Sequence, residues 1–222
     1  MPAWIDAPVL RARIVDANDG IIATAGILEG FVGAGASDTS LVLAGSALTV
    51  AGALALGGMK WAEAASEREA QLTLAAEEAD QLARNPDGEL GELTAYWRSK
   101  GLTTEVAALV AEQLSARDAL AAQLEFEHGI PEITPFRSTV AEGVGAALAF
   151  VIGSAIPLLV TLLGPGAVEG WLILAAVVVS LSVTSLAAAR SGRLSLVRTL
   201  MRSLSVGVGT IAVGYLVGAV LF

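Results

Sequence analysis

Residues 140–163 read VAEGVGAALAFVIGSAIPLLVTLL, a run in which Glu142 is the one charged side chain. Its length matches the roughly 20 helical residues needed to cross a bilayer. Two more such runs follow, 168–189 (VEGWLILAAVVVSLSVTSLAAA) and 204–222 (LSVGVGTIAVGYLVGAVLF). Residues 14–36 and 41–61, nearer the N-terminus, read the same way, and between the two groups residues 62–136 are polar and acidic. The expected fold is therefore an all-α membrane protein. Five transmembrane helices carry a cytoplasmic three-helix insert between spans 2 and 3. Residues 1–13 form the N-terminal segment, 14–61 hold spans 1 and 2, 62–136 are the insert and 137–222 hold spans 3 to 5.

Composition narrows the function classes. Hydrophobic residues make up 55% of the chain, and the mean hydropathy is +0.69. Glycine is plentiful at 24 residues, which favours close helix–helix approach through small side chains over a core of large ones. Cysteine is absent, so no thiolate ligand, cysteine nucleophile or disulfide is available. The first thirteen residues lack the basic–apolar–small order of a cleaved signal, so span 1 is expected to direct insertion itself. The net charge is −9, and residues 61–136 hold 15 Asp/Glu against five Lys/Arg. A nucleic-acid partner needs the opposite sign. Cations are the natural partners of this insert.

Basic residues orient the chain. Arg11 and Arg13 precede span 1, Lys60 ends span 2 and Arg137 begins span 3, while Arg190, Arg193, Arg198 and Arg202 lie between spans 4 and 5. The connections near Ser37-Asp38 and Gly164-Pro165-Gly166 carry no Lys or Arg. The positive-inside bias then places the N-terminus, the insert and the 4–5 loop in the cytoplasm and the C-terminus outside. The lysine-poor, Ala/Gly/Leu-rich composition suggests a bacterial plasma membrane.

Within the insert, Ala62–Arg84 is rich in helix formers and Asn85-Pro86-Asp87-Gly88 reads as a turn. Glu89–Lys100 is expected to form a second helix closed by Gly101. Thr103 or Thr104 caps a third that runs to about His128, with Gly129-Ile130-Pro131 as its stop. Glu63, Glu67 and Glu78 share one face of the first helix. Glu89 and Glu92 are an i, i+3 pair, and Glu105 and Glu112 share a face of the third helix, with Glu125 and Glu127 at its end. Like charges at this density repel unless something neutralises them, and divalent cations would do so.

Charges inside a span are costly and mark pathways or partners. Asp16 and Asp19 are neighbours on one helical face. Glu29 lies ten residues beyond Asp19, about 15 Å along the axis and near the expected bilayer middle. Met59, Lys60 and Glu63 close span 2 at the level of Asp16 and Asp19. A thioether beside carboxylates suits a borderline divalent metal better than Mg²⁺ or Ca²⁺. The candidate metal residues are Asp19, Glu29, Met59, Glu63, Glu67, Glu78, Glu89, Glu92, Glu112 and Glu127. Gly26-x-x-x-Gly30 and Gly214-x-x-x-Gly218 match a small-residue packing motif, without saying whether contacts form within or between chains. His128, the sole histidine, sits at a helix end where interaction with the dipole explains it. No phosphate loop, paired histidines or nucleophile–base pair is present, so the chain does not read as an enzyme and no resident cofactor is expected.

Four segments carry a resemblance: LRARIVDANDG (10–20), GALALGGMKWAEAASERE (52–69), GLTTEVAALVAEQLSARDALAAQLEFEHGI (101–130) and GAALAFVIGSAIPLL (145–159). The chain resembles the vacuolar iron transporter family over nearly its whole length. The resemblance implies five spans, a cytoplasmic metal-binding domain, a homodimer and exchange of Fe²⁺ for protons. Asp19 falls on that family's pathway Asp. Its span 2 methionine is replaced by Leu56, with Met59 a turn away, and its glutamate by Lys60. Glu78, Glu89, Glu92 and Glu127 fall on or near the acidic positions of the metal-binding domain. Gln81 stands where another carboxylate is expected, and Gln123-Leu124 where a Met pair can occur.

Three functional readings follow. The first is export of a divalent metal, Fe²⁺ or Mn²⁺, against protons. The second is a non-transporting membrane-anchored metal buffer or sensor, with Lys60 blocking the mouth. The third is a structural protein whose insert docks a basic partner.

Overall fold

A computed structural model describes residues 7–164, 169–192 and 194–221. Residues 1–6, residues 165–168 in the expected 3–4 connection, Arg193 and Phe222 lie outside the described residues. Among the described residues there are seven helices and no strand: α1 (Ala7–Gly33), α2 (Asp38–Arg84), α3 (Pro86–Ser99), α4 (Thr104–His128), α5 (Phe136–Leu163), α6 (Glu169–Gly192) and α7 (Leu196–Leu221). They divide into two compact units, Met1–Trp61 with Ala141–Phe222, and Ala62–Val140.

In the first unit, α2, α5, α6 and α7 are long and apolar enough to cross a bilayer. They leave Leu43, Leu54, Leu163 and Val220 70%, 71%, 83% and 78% exposed. Large apolar side chains displayed in such number belong in a non-aqueous solvent. The chain is a multi-pass membrane protein.

α1 differs from those four because Arg11, Arg13, Asp16, Asp19 and Glu29 reduce its apolarity. It is instead wrapped by its neighbours, packing against α6 and α7 and burying Asp16, Ile21, Thr24, Ala25, Leu28 and Glu29. Ile21, Ala25 and Leu28 join Leu41, Ile173, Val177, Leu181 and Ile211 in the core of this unit. Two glycine contacts set the approach of the helices. A Cβ on Gly20 would run into the Phe150 carbonyl of α5, and one on Gly153 into the Ala17 carbonyl of α1. Ser154 Oγ donates to the Gly20 carbonyl at 3.3 Å across the same crossing. Farther along, Gly214 and Gly218 of α7 lie against the backbone carbonyls of Gly26 and Gly30. The two small-residue motifs therefore pair with each other inside one chain.

The second unit departs from expectation in three ways. Its first helix is not separate, because α2 runs unbroken from Asp38 to Arg84. Gly58 is the last glycine before Arg84 and no proline intervenes, so nothing stops the helix at Trp61. The second helix starts at Pro86, not Glu89. Asn85 is its N-cap, accepting from the Gly88 N–H at 3.2 Å, and proline suits the first turn. The third helix carries a break at Asp118 (φ −163°, ψ 94°), whose carboxylate accepts from the Ala121 N–H at 3.0 Å and caps the continuation. Thr103 caps the start of α4, and Gly129 ends it in the left-handed conformation at φ 65°. Ala75, Leu124 and Ile130 form a small core with Leu74, Leu120 and Ile133.

Candidate metal centre

Three helices of the acidic unit converge on one group of side chains. Late α2 contributes Glu78, α3 contributes Glu89 and Glu92, and the end of α4 contributes Glu127 and His128. The α3–α4 pairing behind this is apolar: Leu93, Ala107 and Ala111 are buried, and the Tyr96 and Phe126 rings stand 4.6 Å apart. Gln123, itself buried, donates through Nε2 to the Glu89 carbonyl at 2.7 Å and to the Glu89 carboxylate at 3.4 Å. The Gly129 cap halts α4 so that Glu127 and His128 lie on its last turn.

Two triads result, Glu78/Glu127/His128 and Glu89/Glu92/Glu127, each with one ligand atom per residue within 4.8 Å of the others. Ligands about 2.0–2.4 Å from one cation stand at most about 5 Å apart, so either triad fits a single ion. Glu78 is fully buried, and no N–H or hydroxyl among the described residues donates to either of its oxygens. Its surroundings are carboxylates and the His128 ring, whose Nε2 lies 3.9 Å from Glu78 Oε2. Burial, then Glu127 and Glu89, push the Glu78 carboxyl above the usual range, with His128 acting the other way. Burial, then Glu92 and Glu127, raise Glu89 too, and a hydrogen bond from Glu78 offsets part of that. Four carboxylates and an imidazole are an O,N donor set that suits Fe²⁺, Mn²⁺ or Zn²⁺ better than a thiophilic ion.

Of the sequence candidates in this unit, Glu78, Glu89, Glu92 and Glu127 come together. Glu63, Glu67 and Glu112 are exposed and belong to neither triad. His128, read in sequence as answering the helix dipole, also lies in the cluster. Its position one residue after Glu127, just before a glycine stop, was the available signal. Gln123, a departure from the family pattern in sequence, is the side chain that holds Glu89.

In the membrane unit, Asp16 is 3% exposed and Asp19 is exposed, one turn apart on α1. Arg13 Nη1 lies 2.7 Å from Asp16 Oδ2, and Arg13 Nη2 lies 2.5 Å from Glu142 Oε2. Glu29 is 4% exposed. It sits one turn from the end of α1 beside the first turn of α6, where a Cβ on Gly170 would come within 3.1 Å of Glu29 Oε2. Met59 is 59% exposed on α2.

The helices of the described residues, a unit with apolar spans and an acidic unit whose carboxylates gather around a buried glutamate define a helical membrane protein with a candidate cation site. The profile of the VIT family matches residues 10–219. A vacuolar iron transporter of Acanthamoeba castellanii is 34% identical over 151 residues, covering 68% of this chain and 54% of that protein. Vacuolar iron transporter 2 of Oryza sativa is 28% identical over 68% of this chain and 62% of its own length. Vacuolar iron transporter 1 of Arabidopsis thaliana is 27% identical over 78% of this chain and 69% of its own length. The chain belongs to the VIT family, and spans between about half and seven tenths of the length of these relatives.

Proposed function

We propose that the protein moves a divalent metal, Fe²⁺ and in second place Mn²⁺, out of the cytoplasm in exchange for protons. The observation that carries this reading is the fully buried Glu78 among Glu89, Glu92, Glu127 and His128. A carboxylate so placed is destabilised when ionised unless a cation joins it. The acidic unit collects metal. α1 then acts as a fifth span whose Asp19 and Glu29 relay the ion, with the N-terminus cytoplasmic and the C-terminus outside. A homodimer in a bacterial plasma membrane completes the reading, and the names of the relatives support iron as the cargo.

Asp19→Asn is expected to abolish flux of Fe²⁺ in proteoliposomes while expression and folding persist. Glu29→Gln is expected to do the same. Full transport by both variants would defeat the proposed route. A second reading, a membrane-anchored buffer or sensor, draws on the two cations near the aspartates, Arg13 and Lys60. Under it, the wild type binds metal without moving it, and Lys60→Glu creates transport. Under the transport reading, Lys60→Glu leaves flux unchanged or lowers it.

A further inference from the structure

Arg13 joins two helices of the membrane unit. One nitrogen of its guanidinium holds Asp16 on its own helix and the other holds Glu142 on α5. Gly145, one turn along α5 from Glu142, makes room for it: a Cβ there would lie 3.0 Å from Arg13 Cζ and Nε. The latch lies next to the Gly20–Phe150 and Gly153–Ala17 crossing, where α1 and α5 touch backbone to backbone. A small change in angle at that crossing changes the separation of the helix ends beyond it.

Asp16 is almost wholly buried and lies one helical turn from Asp19 on α1. It is thus positioned to help bind a cation at Asp19, yet its carboxylate already holds the guanidinium. A planar two-pronged cation suits two carboxylates from different helices in a way that lysine does not. We propose that Arg13 is a tethered cation that latches α1 to α5 through Asp16 and Glu142, and that an arriving divalent metal opens the latch by displacing it from Asp16. Arg13 is then a positioning residue, and its strength of hold sets the metal concentration at which α1 and α5 part. The inference rests on the transport reading only in taking Asp19 as a station for metal.

The test uses the full-length protein. Because the chain has no cysteine, the pair Leu10→Cys and Val144→Cys, both exposed positions on α1 and α5, accepts spin labels uniquely. In Arg13→Gln the distance distribution between the labels should broaden without metal, as the wild type's should on adding Fe²⁺. The apparent KM for Fe²⁺ should fall by about threefold or more, since the competent state is no longer held back by the latch. The double variant Arg13→Glu with Glu142→Arg rebuilds the bridge with reversed sign and should restore the narrow distribution. This guards against misfolding of the single variant. A narrow distribution in Arg13→Gln, or a KM within about twofold of wild type, overturns the latch. Should the wild type carry no flux, the transport reading fails. The latch is then judged by distance alone: broadening of the wild type by Fe²⁺ supports it, and indifference to Fe²⁺ overturns it.

Discussion

Glu78 concentrates the chemistry of the acidic unit. Its carboxyl and that of Glu89 titrate above their unfolded range, which lies near 4.3. A group that binds its proton more tightly when folded stabilises the fold fully below its unfolded pKa, and that contribution is lost as pH rises through the folded value. The metal-free protein should therefore lose stability in this unit as pH rises from about 4.3. Glu78→Gln keeps the shape of the side chain and removes its titrating group, so its stability should depend less on pH over that range. Thermal unfolding of both proteins at a series of pH values checks this, and a steeper pH dependence in the variant would contradict it. The same variant should bind Mn²⁺ about tenfold or more weakly. His128→Ala should weaken binding too if the ring is a ligand, and leave it unchanged if it only answers the helix dipole. The carboxylates of this cluster were legible in sequence because their number and their likeness to a family pattern single them out. His128 was not legible, because a lone histidine at a helix end has a sufficient local explanation until a partner from another helix is seen. Glu63, Glu67 and Glu112 belong to the same acidic composition but face outward, and facing is settled by packing that one-dimensional spacing does not contain.

Helix ends and contacts show where sequence rules reach their limit. The caps at Thr103 and Gly129 and the stop at Gly101 were readable, since each residue type serves one local geometry. The break at Asp118 was not, because aspartate is tolerated inside a helix and caps one only when the chain is bent there. Asp118→Ala should cost about 1 kcal/mol, the usual value of a lost cap, read from thermal or denaturant unfolding. Continuity of α2 through Trp61 was hidden for the opposite reason: the change from apolar to acidic composition suggests a boundary, while helix propensity sees none. The glycine motifs were visible as spacing, yet only the folded chain pairs Gly26 and Gly30 with Gly214 and Gly218. A bulky residue there forces α1 and α7 apart. Gly218→Leu should destabilise the membrane unit by about 1–3 kcal/mol or more, whereas Gly209→Leu, on an open face of α7, should be tolerated. Equal loss in both would remove the α1–α7 contact from the account.

The division into a membrane unit and an acidic unit was the most legible property of all, since it follows from hydropathy and charge sign over tens of residues. α1 shows the limit of that reading. It is not apolar enough to be picked out as a span by hydropathy, yet its Asp16 and Glu29 are buried among its neighbours. Metal binding to the folded protein should raise the stability of the acidic unit by about 2.7 kcal/mol at a hundredfold excess over Kd, visible as a metal-dependent shift in thermal unfolding. That shift tests binding, which the buffer reading shares. Transport is tested most directly by Fe²⁺ flux into proteoliposomes of the purified protein, with a pH dye in the lumen and Mn²⁺, Co²⁺ and Zn²⁺ run in parallel. The account predicts saturable entry of Fe²⁺ with protons moving the opposite way, lost in Asp19→Asn. Metal bound at the surface with no entry of any ion would contradict it.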